Sequence, residues 1–162
     1  MLAQLFDLAS MPDVLPDRYN LAPKQPIPVV RFPRQLELLR WGLDMPDPKM
    51  AGINARVESL TRPIYREKLR DKRCLVVVDG FYEWKGVAGT KHPYLIARED
   101  KAPMVFAGIY DSTDGCAIIT TAFQGVVATR HDRMPVLIGQ GQRRLLGGVE
   151  EYREGESATA SA

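Results

Sequence analysis

Histidine, cysteine and long apolar runs are all scarce in this chain of 162 residues. It has two histidines, His92 and His131, and two cysteines, Cys74 and Cys116, with no CxxC, HExxH or EF-hand spacing among them. The common metal sites need several ligands at fixed spacing, so no metal is expected. No nucleotide cofactor is expected either, because Gly139 to Gly148 (GQGQRRLLGG) has neither GxGxxG nor GxxxxGK spacing. Both cysteines lie in strand-like apolar runs, which predicts buried free thiols rather than a disulfide framework. No apolar run approaches the roughly 20 residues that span a bilayer, and MLAQLFDLAS lacks the basic region and cleavage site of a signal peptide. These absences predict a soluble, cytoplasmic protein. Charge of one sign is missing too: 22 Lys and Arg against 20 Asp and Glu leave +2, so any attraction to polyanions depends on where the charges sit.

What the chain does have is enough apolar material for a core. At 45% apolar and 26% charged it matches a globular domain, and its length predicts one domain, ending near Val149. The residues after 149 end in GESATASA, which has nothing to bury and predicts a disordered tail. Leu2, Leu5, Phe6, Leu8 and Ala9 have helical spacing, stopped by Pro12 and Pro16. Asp17 to Pro28 predicts an extended connector, followed by short strands at Val29 to Phe32 and Leu36 to Trp41. A helix is predicted from about Pro63 to Arg70, with Thr61 as a cap and proline in its first turn. From Cys74 onward the runs CLVVVDGFYEWK, HPYLIAR, MVFAGIYD and CAIITTA read as strands with Gly-rich turns. The fold class is therefore α+β, a curved antiparallel sheet or partial barrel with two or three helices on it.

Four separated segments combine polar side chains with rigid or aromatic neighbours. His131, flanked by Asp132 and Arg133, suits proton exchange near neutral pH, although a structural histidine at a strand entrance explains it as well. Glu83, between Tyr82 and Trp84, shares a strand face with Phe81, where a partly desolvated carboxyl suits a general acid; a solvent-facing strand residue is the alternative. Asn54 and Arg56 share a face if their segment is extended, placing an amide beside a guanidinium that grips phosphate in a fork; a surface turn explains the pair nearly as well. Trp41 next to Gly42 is either a stacking platform for a base or a core residue. The basic run from Arg62 to Arg73 reads as a solvated amphipathic helix with internal ion pairs.

Taken together, YNLAP at Tyr19, WGL at Trp41, NARVES at Asn54, RCLVVVDGFYEW from Arg73, FAGIY at Phe106, ITT at Ile119 and HDRMPV at His131 resemble the SRAP family, the SOS response-associated peptidases or abasic-site processing proteins. The resemblance runs in order from about Tyr19 to Ile138. It implies a curved β core with a groove for single-stranded DNA. It also implies covalent attachment to abasic sites through a cysteine exposed after initiator-methionine removal, whose amine and thiol close a thiazolidine on the sugar aldehyde. On the matching positions, Asn54 helps hold the reactive terminus and sugar, Glu83 assists ring opening, and His131 assists Schiff-base formation and reversal. Trp41, Arg56, Trp84 and Arg133 are the implied DNA contacts. No metal or organic cofactor is implied, the expected partner is single-stranded DNA containing abasic sites, and a monomer is expected.

Family members begin Met-Cys-Gly-Arg, whereas this sequence begins Met1-Leu2-Ala3-Gln4. Two expectations follow. Either the sequence starts at an internal methionine of a full family protein that crosslinks to abasic sites, or the chain is a non-catalytic binder of single-stranded or damaged DNA. A hydrolase built on His131 and Glu83 lacks a Ser or Cys nucleophile with a partner.

Overall fold

The computed structural model describes residues 2–47, 49–87, 90–122 and 133–139. A short helix α1 (Leu2–Phe6) comes first, followed after the connector by strands β1 (Pro26–Arg31) and β2 (Gln35–Trp41). Strand β3 (Asn54–Arg56), a 3-10 turn at Val57–Ser59 and helix α2 (Pro63–Asp71) lead to β4 (Arg73–Val78). The hairpin β5 (Gly80–Val87) and β6 (Thr90–Ala97) precedes β7 (Met104–Tyr110), β8 (Gly115–Ala122) and β9 (Arg133–Pro135). The expected α+β class with a curved antiparallel sheet holds.

Helix α1 ends sooner than the apolar spacing predicts. Asp7 adopts a left-handed conformation (φ 49°) and the N–H of Leu8 donates to the carbonyl of Ala3 at 3.0 Å, the bond that closes a helix C-terminus. Strand β1 begins three residues earlier than predicted, at Pro26, opposite Arg40 of β2. The run CLVVVDGFYEWK divides at Asp79: β4 joins the main sheet, while β5 leaves it to pair only with β6. A continuous apolar pattern does not record such a change of sheet.

Among the described residues the main sheet has seven strands, in the order β2-β1-β4-β7-β8-β3, with β9 also on β8. Its curvature brings β2 back to β8, where Arg40 pairs with Gly115 and Trp41 with Cys116 in parallel. The return contact is two residues long, so the sheet is a partial barrel joined at one corner. Both faces are covered, which explains the unbroken apolar runs. Along β4, Cys74 and Val76 enter the inner cluster with Phe106, Cys116 and Ile118, while Leu75 and Val77 face Phe6 of α1. Along β8, Ala117 and Ile119 pack in a third cluster with Tyr65 of α2, and Ala55 of β3 joins them fully buried.

The corner is fastened by Asp111. Its Oδ1 accepts the N–H groups of Thr113 (3.0 Å) and Gly115 (2.9 Å) and the Thr113 hydroxyl (2.7 Å), and its Oδ2 accepts the N–H of Asp44 (2.8 Å). The turn before β8 and the loop after β2 thus share one carboxylate. Gly115 sits so close that a Cβ would lie 2.5 Å from the carbonyl oxygen of Gly42. Burial raises the pKa of Asp111, but the Asp44 N–H, the Thr113 hydroxyl and the other N–H donors outweigh it and hold the carboxyl below its ordinary value.

An Asp111→Asn variant turns an NH2 group toward the N–H of Asp44 and should lose about 1–3 kcal/mol in denaturant unfolding. With a depressed folded-state pKa, the carboxylate's contribution is complete above the unfolded value near 3.8 and is lost as pH falls through the folded value. Acid titrations of the wild type followed by circular dichroism should show that loss below about pH 4, and the Asn variant should lack this component.

Candidate functional site

One cleft of about 1740 Å³ opens between the β5–β6 hairpin, the connector around Tyr19 and the strands that converge on β8. Asn54, Arg56, Trp41, Glu83, Trp84 and Arg133 all line it. Six of the seven residues singled out in the sequence therefore meet at one place. The seventh, His131, lies outside the described residues, as do the segment 140–148 and the predicted tail.

Strand β3 presents two of the six. It runs parallel to β8, with Asn54 opposite Ile118 and Arg56 opposite Thr120. Ala55 points into the core, so Asn54 and Arg56 both face outward, as the extended reading of NAR requires. Trp41 fixes the entry to this strand. Its indole N–H donates to the carbonyl of Ile53 at 2.9 Å, and the same carbonyl accepts the N–H of Ile118 at 3.0 Å. Trp41 is half-buried against the inner cluster, so it is both a core residue and part of the cleft wall. Gly52, at φ +62°, makes the turn just before: a Cβ there would fall 2.5 Å from the carbonyl oxygen of Leu43.

The hairpin brings the acid and an exposed aromatic. Phe81 packs edge-on against Phe106, ring centroids 5.6 Å apart, which anchors β5 to the main sheet. Alternation then puts Glu83, half-buried, on the face of Phe81, and leaves Tyr82 and Trp84 outward, 47% and 49% exposed. The Tyr82 hydroxyl reaches the carbonyl of Tyr19 at 3.4 Å, linking hairpin and connector. Among the described residues, the side chains of Asn54, Arg56 and Glu83 have no hydrogen-bond partner, which leaves an amide, a cation and an acid available to a ligand.

Arg133 is different. Its guanidinium is held by Thr120 and by Glu58, a residue that its place in NARVES did not single out. The Arg133 hydrogen bond, with the field of Arg133 and Arg56, keeps the Glu58 carboxyl below its ordinary pKa. Arg98 and Lys101 also line the cleft and were not anticipated. Arg98 is already bound to Asp100, at 2.8 and 2.5 Å. Nothing in the sequence links Glu58 to a partner 75 positions away.

The cysteines are no part of this surface. Cys74 and Cys116 are buried free thiols in the inner cluster. Burial pushes Cys74 well up and Cys116 up to about 12, so neither forms a thiolate near neutral pH. Among the described residues no group of three or more His, Cys, Asp or Glu is arranged to hold a metal, and no helix is long and apolar enough to cross a membrane.

The family model for SOS response associated peptidase (SRAP) matches residues 1–150. The chain belongs to the SRAP family. Over 144 residues, 78% of this chain, it is 37% identical to the abasic site processing protein YoaM of Bacillus subtilis. It is 32% identical over 143 residues to the abasic site processing protein YMR114C of Saccharomyces cerevisiae. The matched part spans 63% of the length of YoaM and 39% of the yeast protein. Among solved structures, a phage-related protein of Bordetella bronchiseptica superposes with a TM-score of 0.66 at 30% identity, covering 81% of this chain and 69% of that one. A second Bordetella protein shares the fold at TM-score 0.73 and 20% identity, over 90% of this chain and 82% of the other. The SRAP resemblance drawn from the motifs is thereby established as membership, and the six gathered positions all fall within the matched span.

The burial of both thiols has a direct consequence. Native protein should react negligibly with an aromatic disulfide reagent at pH 8 over minutes, and should release two equivalents of thiol once unfolded in guanidinium, consistent with the two cysteines of the sequence. Rapid labelling of the native state would contradict the inner placement of Cys74 and Cys116.

Proposed function

We propose that this SRAP chain binds single-stranded DNA in the cleft and processes abasic sites there, as one domain extending to about Val149. The observation that carries the reading is the convergence of Asn54 and Glu83 with Trp41, Trp84, Arg56 and Arg133 on one wall system. The relatives that bear the abasic-site name share the family. In this reading Trp84 stacks an unpaired base on its exposed ring, with Trp41 offering an edge behind it. Arg56 and Arg133 take the flanking phosphates, which positions the strand without reading its sequence. Asn54 holds the sugar by its amide, and Glu83 gives and takes the proton needed to open the sugar ring to its aldehyde. His131 is assigned the matching proton transfers in Schiff-base formation and reversal.

Covalent attachment in this scheme uses an N-terminal cysteine of the Met-Cys-Gly-Arg kind, placed ahead of Met1 in a longer chain. An α-amino group with a pKa near 7.7–8.0 is partly neutral at physiological pH, unlike a lysine near 10.4, and so attacks an aldehyde. The thiol of the same residue then closes a five-membered ring without a second encounter. The same cysteine accounts for self-removal of the preceding methionine. Cys74 and Cys116 cannot substitute, being internal and buried. In this reading crosslinking requires that terminal cysteine, whereas holding the strand requires only the cleft.

The test is a denaturing gel of the 162-residue chain and of a version extended by Met-Cys-Gly-Arg, each incubated with single-stranded DNA carrying an abasic site. The extended version should give a slow-migrating covalent band, and Glu83→Gln should slow its formation about 100-fold. The unextended chain should bind the oligonucleotide without covalent product, with affinity falling as salt rises, and Trp84→Ala should cost about 1–3 kcal/mol of binding. Absence of both the band and the binding would reject the proposal.

A further inference from the structure

Arg133 is a cationic wall residue of the β8 region whose donors are nearly all spent. Its Nε–H donates to the Thr120 hydroxyl at 3.2 Å, and Nη2 donates to the Thr120 carbonyl at 2.7 Å and to Glu58 Oε2 at 2.9 Å. Nη1 donates to Glu58 Oε1 at 3.3 Å. A guanidinium has five N–H groups, so these bonds leave one, on Nη1. A phosphate gripped in a fork needs two neighbouring N–H groups on separate nitrogens. Arg133 as it stands cannot supply them.

Its two partners are unequal. Thr120 is buried on β8 and offers a hydroxyl and a carbonyl that fix the plane of the guanidinium. Glu58 follows the 3-10 turn's first residue, its side chain 58% exposed against 27% for that of Arg133. An ion pair exposed to that degree contributes little net stability, because water and counterions compete for both ends. The carboxylate takes up one N–H on Nη1 and one on Nη2 of a guanidinium whose residue lines the cleft, and it does so with two oxygens, as a phosphodiester would. Arg56, two residues earlier and outward-facing on β3, carries no ion pair among the described residues and adds its field at Glu58.

We propose that Glu58 is a positioning and specificity residue that holds the place of a DNA phosphate. It occupies and aligns the Arg133 fork in the free protein, and it yields that fork when a strand enters the cleft. The exchange swaps one anion for another on a guanidinium already oriented by Thr120, so little side-chain order remains to be imposed on binding. It also sets a threshold: an isolated anion must outcompete a tethered carboxylate, while a strand that also engages Arg56 and stacks on Trp84 does so through its other contacts. This inference rests on the proposal that the cleft takes single-stranded DNA.

The experiment measures fluorescence anisotropy with a labelled single-stranded oligonucleotide lacking abasic sites, at one low salt concentration. Wild type, Glu58→Gln, Arg133→Gln and the double variant are compared, each checked for a native circular dichroism spectrum. Glu58→Gln is nearly isosteric and should bind about threefold to fivefold tighter. Arg133→Gln should bind more weakly, and adding Glu58→Gln to it should bring no further change. A purely structural role for Glu58 predicts weaker binding instead, and that result would overturn the proposal. Equal affinity of wild type and Glu58→Gln would overturn it too, as would a gain that persists without Arg133, since that is a general effect of charge. If wild type binds and only the Glu58 result fails, the proposed function stands and this inference falls; if wild type fails to bind, both fall.

Discussion

Strand β8 is the member on which the rest of the structure depends. Cys116, Ile118 and Thr120 each pair on both sides, so one edge of the strand carries β7 and then β9, and the other carries β2 and then β3. Four strands from distant parts of the chain take their register from eight residues. The side chains alternate between two cores, Cys116 and Ile118 inward and Ala117 and Ile119 toward α2, so a shift of one residue would exchange the two packing surfaces. That constraint is why Asn54, Arg56, Trp41 and Arg133 occupy neighbouring positions although they come from distant parts of the sequence. The Asp111 carboxylate protects the same constraint at its weakest point, the corner where β2 meets β8.

The hairpin contributes by a looser attachment. Among the described residues strands β5 and β6 pair only with each other, and the ring of Phe81 against Phe106 ties them to the main sheet. A rigid wall built on β8 and a separate arm carrying Glu83 and Trp84 together make an open cleft rather than a closed pocket. Such a shape suits a chain-like ligand that passes through, and Asn54, Arg56 and Glu83, without hydrogen-bond partners among the described residues, are on both sides of it. The aromatics Tyr82 and Trp84 stay outward because alternation commits Phe81 to the core.

The fold class and six of the positions that line the cleft were legible in the sequence, and for physical reasons. NAR had the period of an extended segment around a small core residue, Ala55, and both neighbours do face out. FYEW carried its own alternation, with Phe81 as the anchor. Trp41 was ambiguous between core and cleft, and the ambiguity is real, since its indole N–H is spent on Ile53 while its ring lines the wall. What could not be read were features made by chain crossings. The division of CLVVVDGFYEWK between two sheets leaves no trace in an apolar run, because both halves are strands. The pairing of Arg133 with Glu58 and Thr120 depends on β9 and β3 lying on opposite edges of β8, which only the three-dimensional register determines.

Everything proposed for the cleft depends on an amide and a carboxyl sharing it with the means to hold a nucleic-acid strand. A crystal structure of the chain with a single-stranded oligonucleotide containing a stable tetrahydrofuran analogue of an abasic site tests this most directly. The expected result is the analogue's ring within hydrogen-bond reach, about 3 Å, of both the Asn54 amide and the Glu83 carboxyl, with a neighbouring base on Trp84. A strand lying along the basic face of α2, with Asn54 and Glu83 untouched, would contradict it.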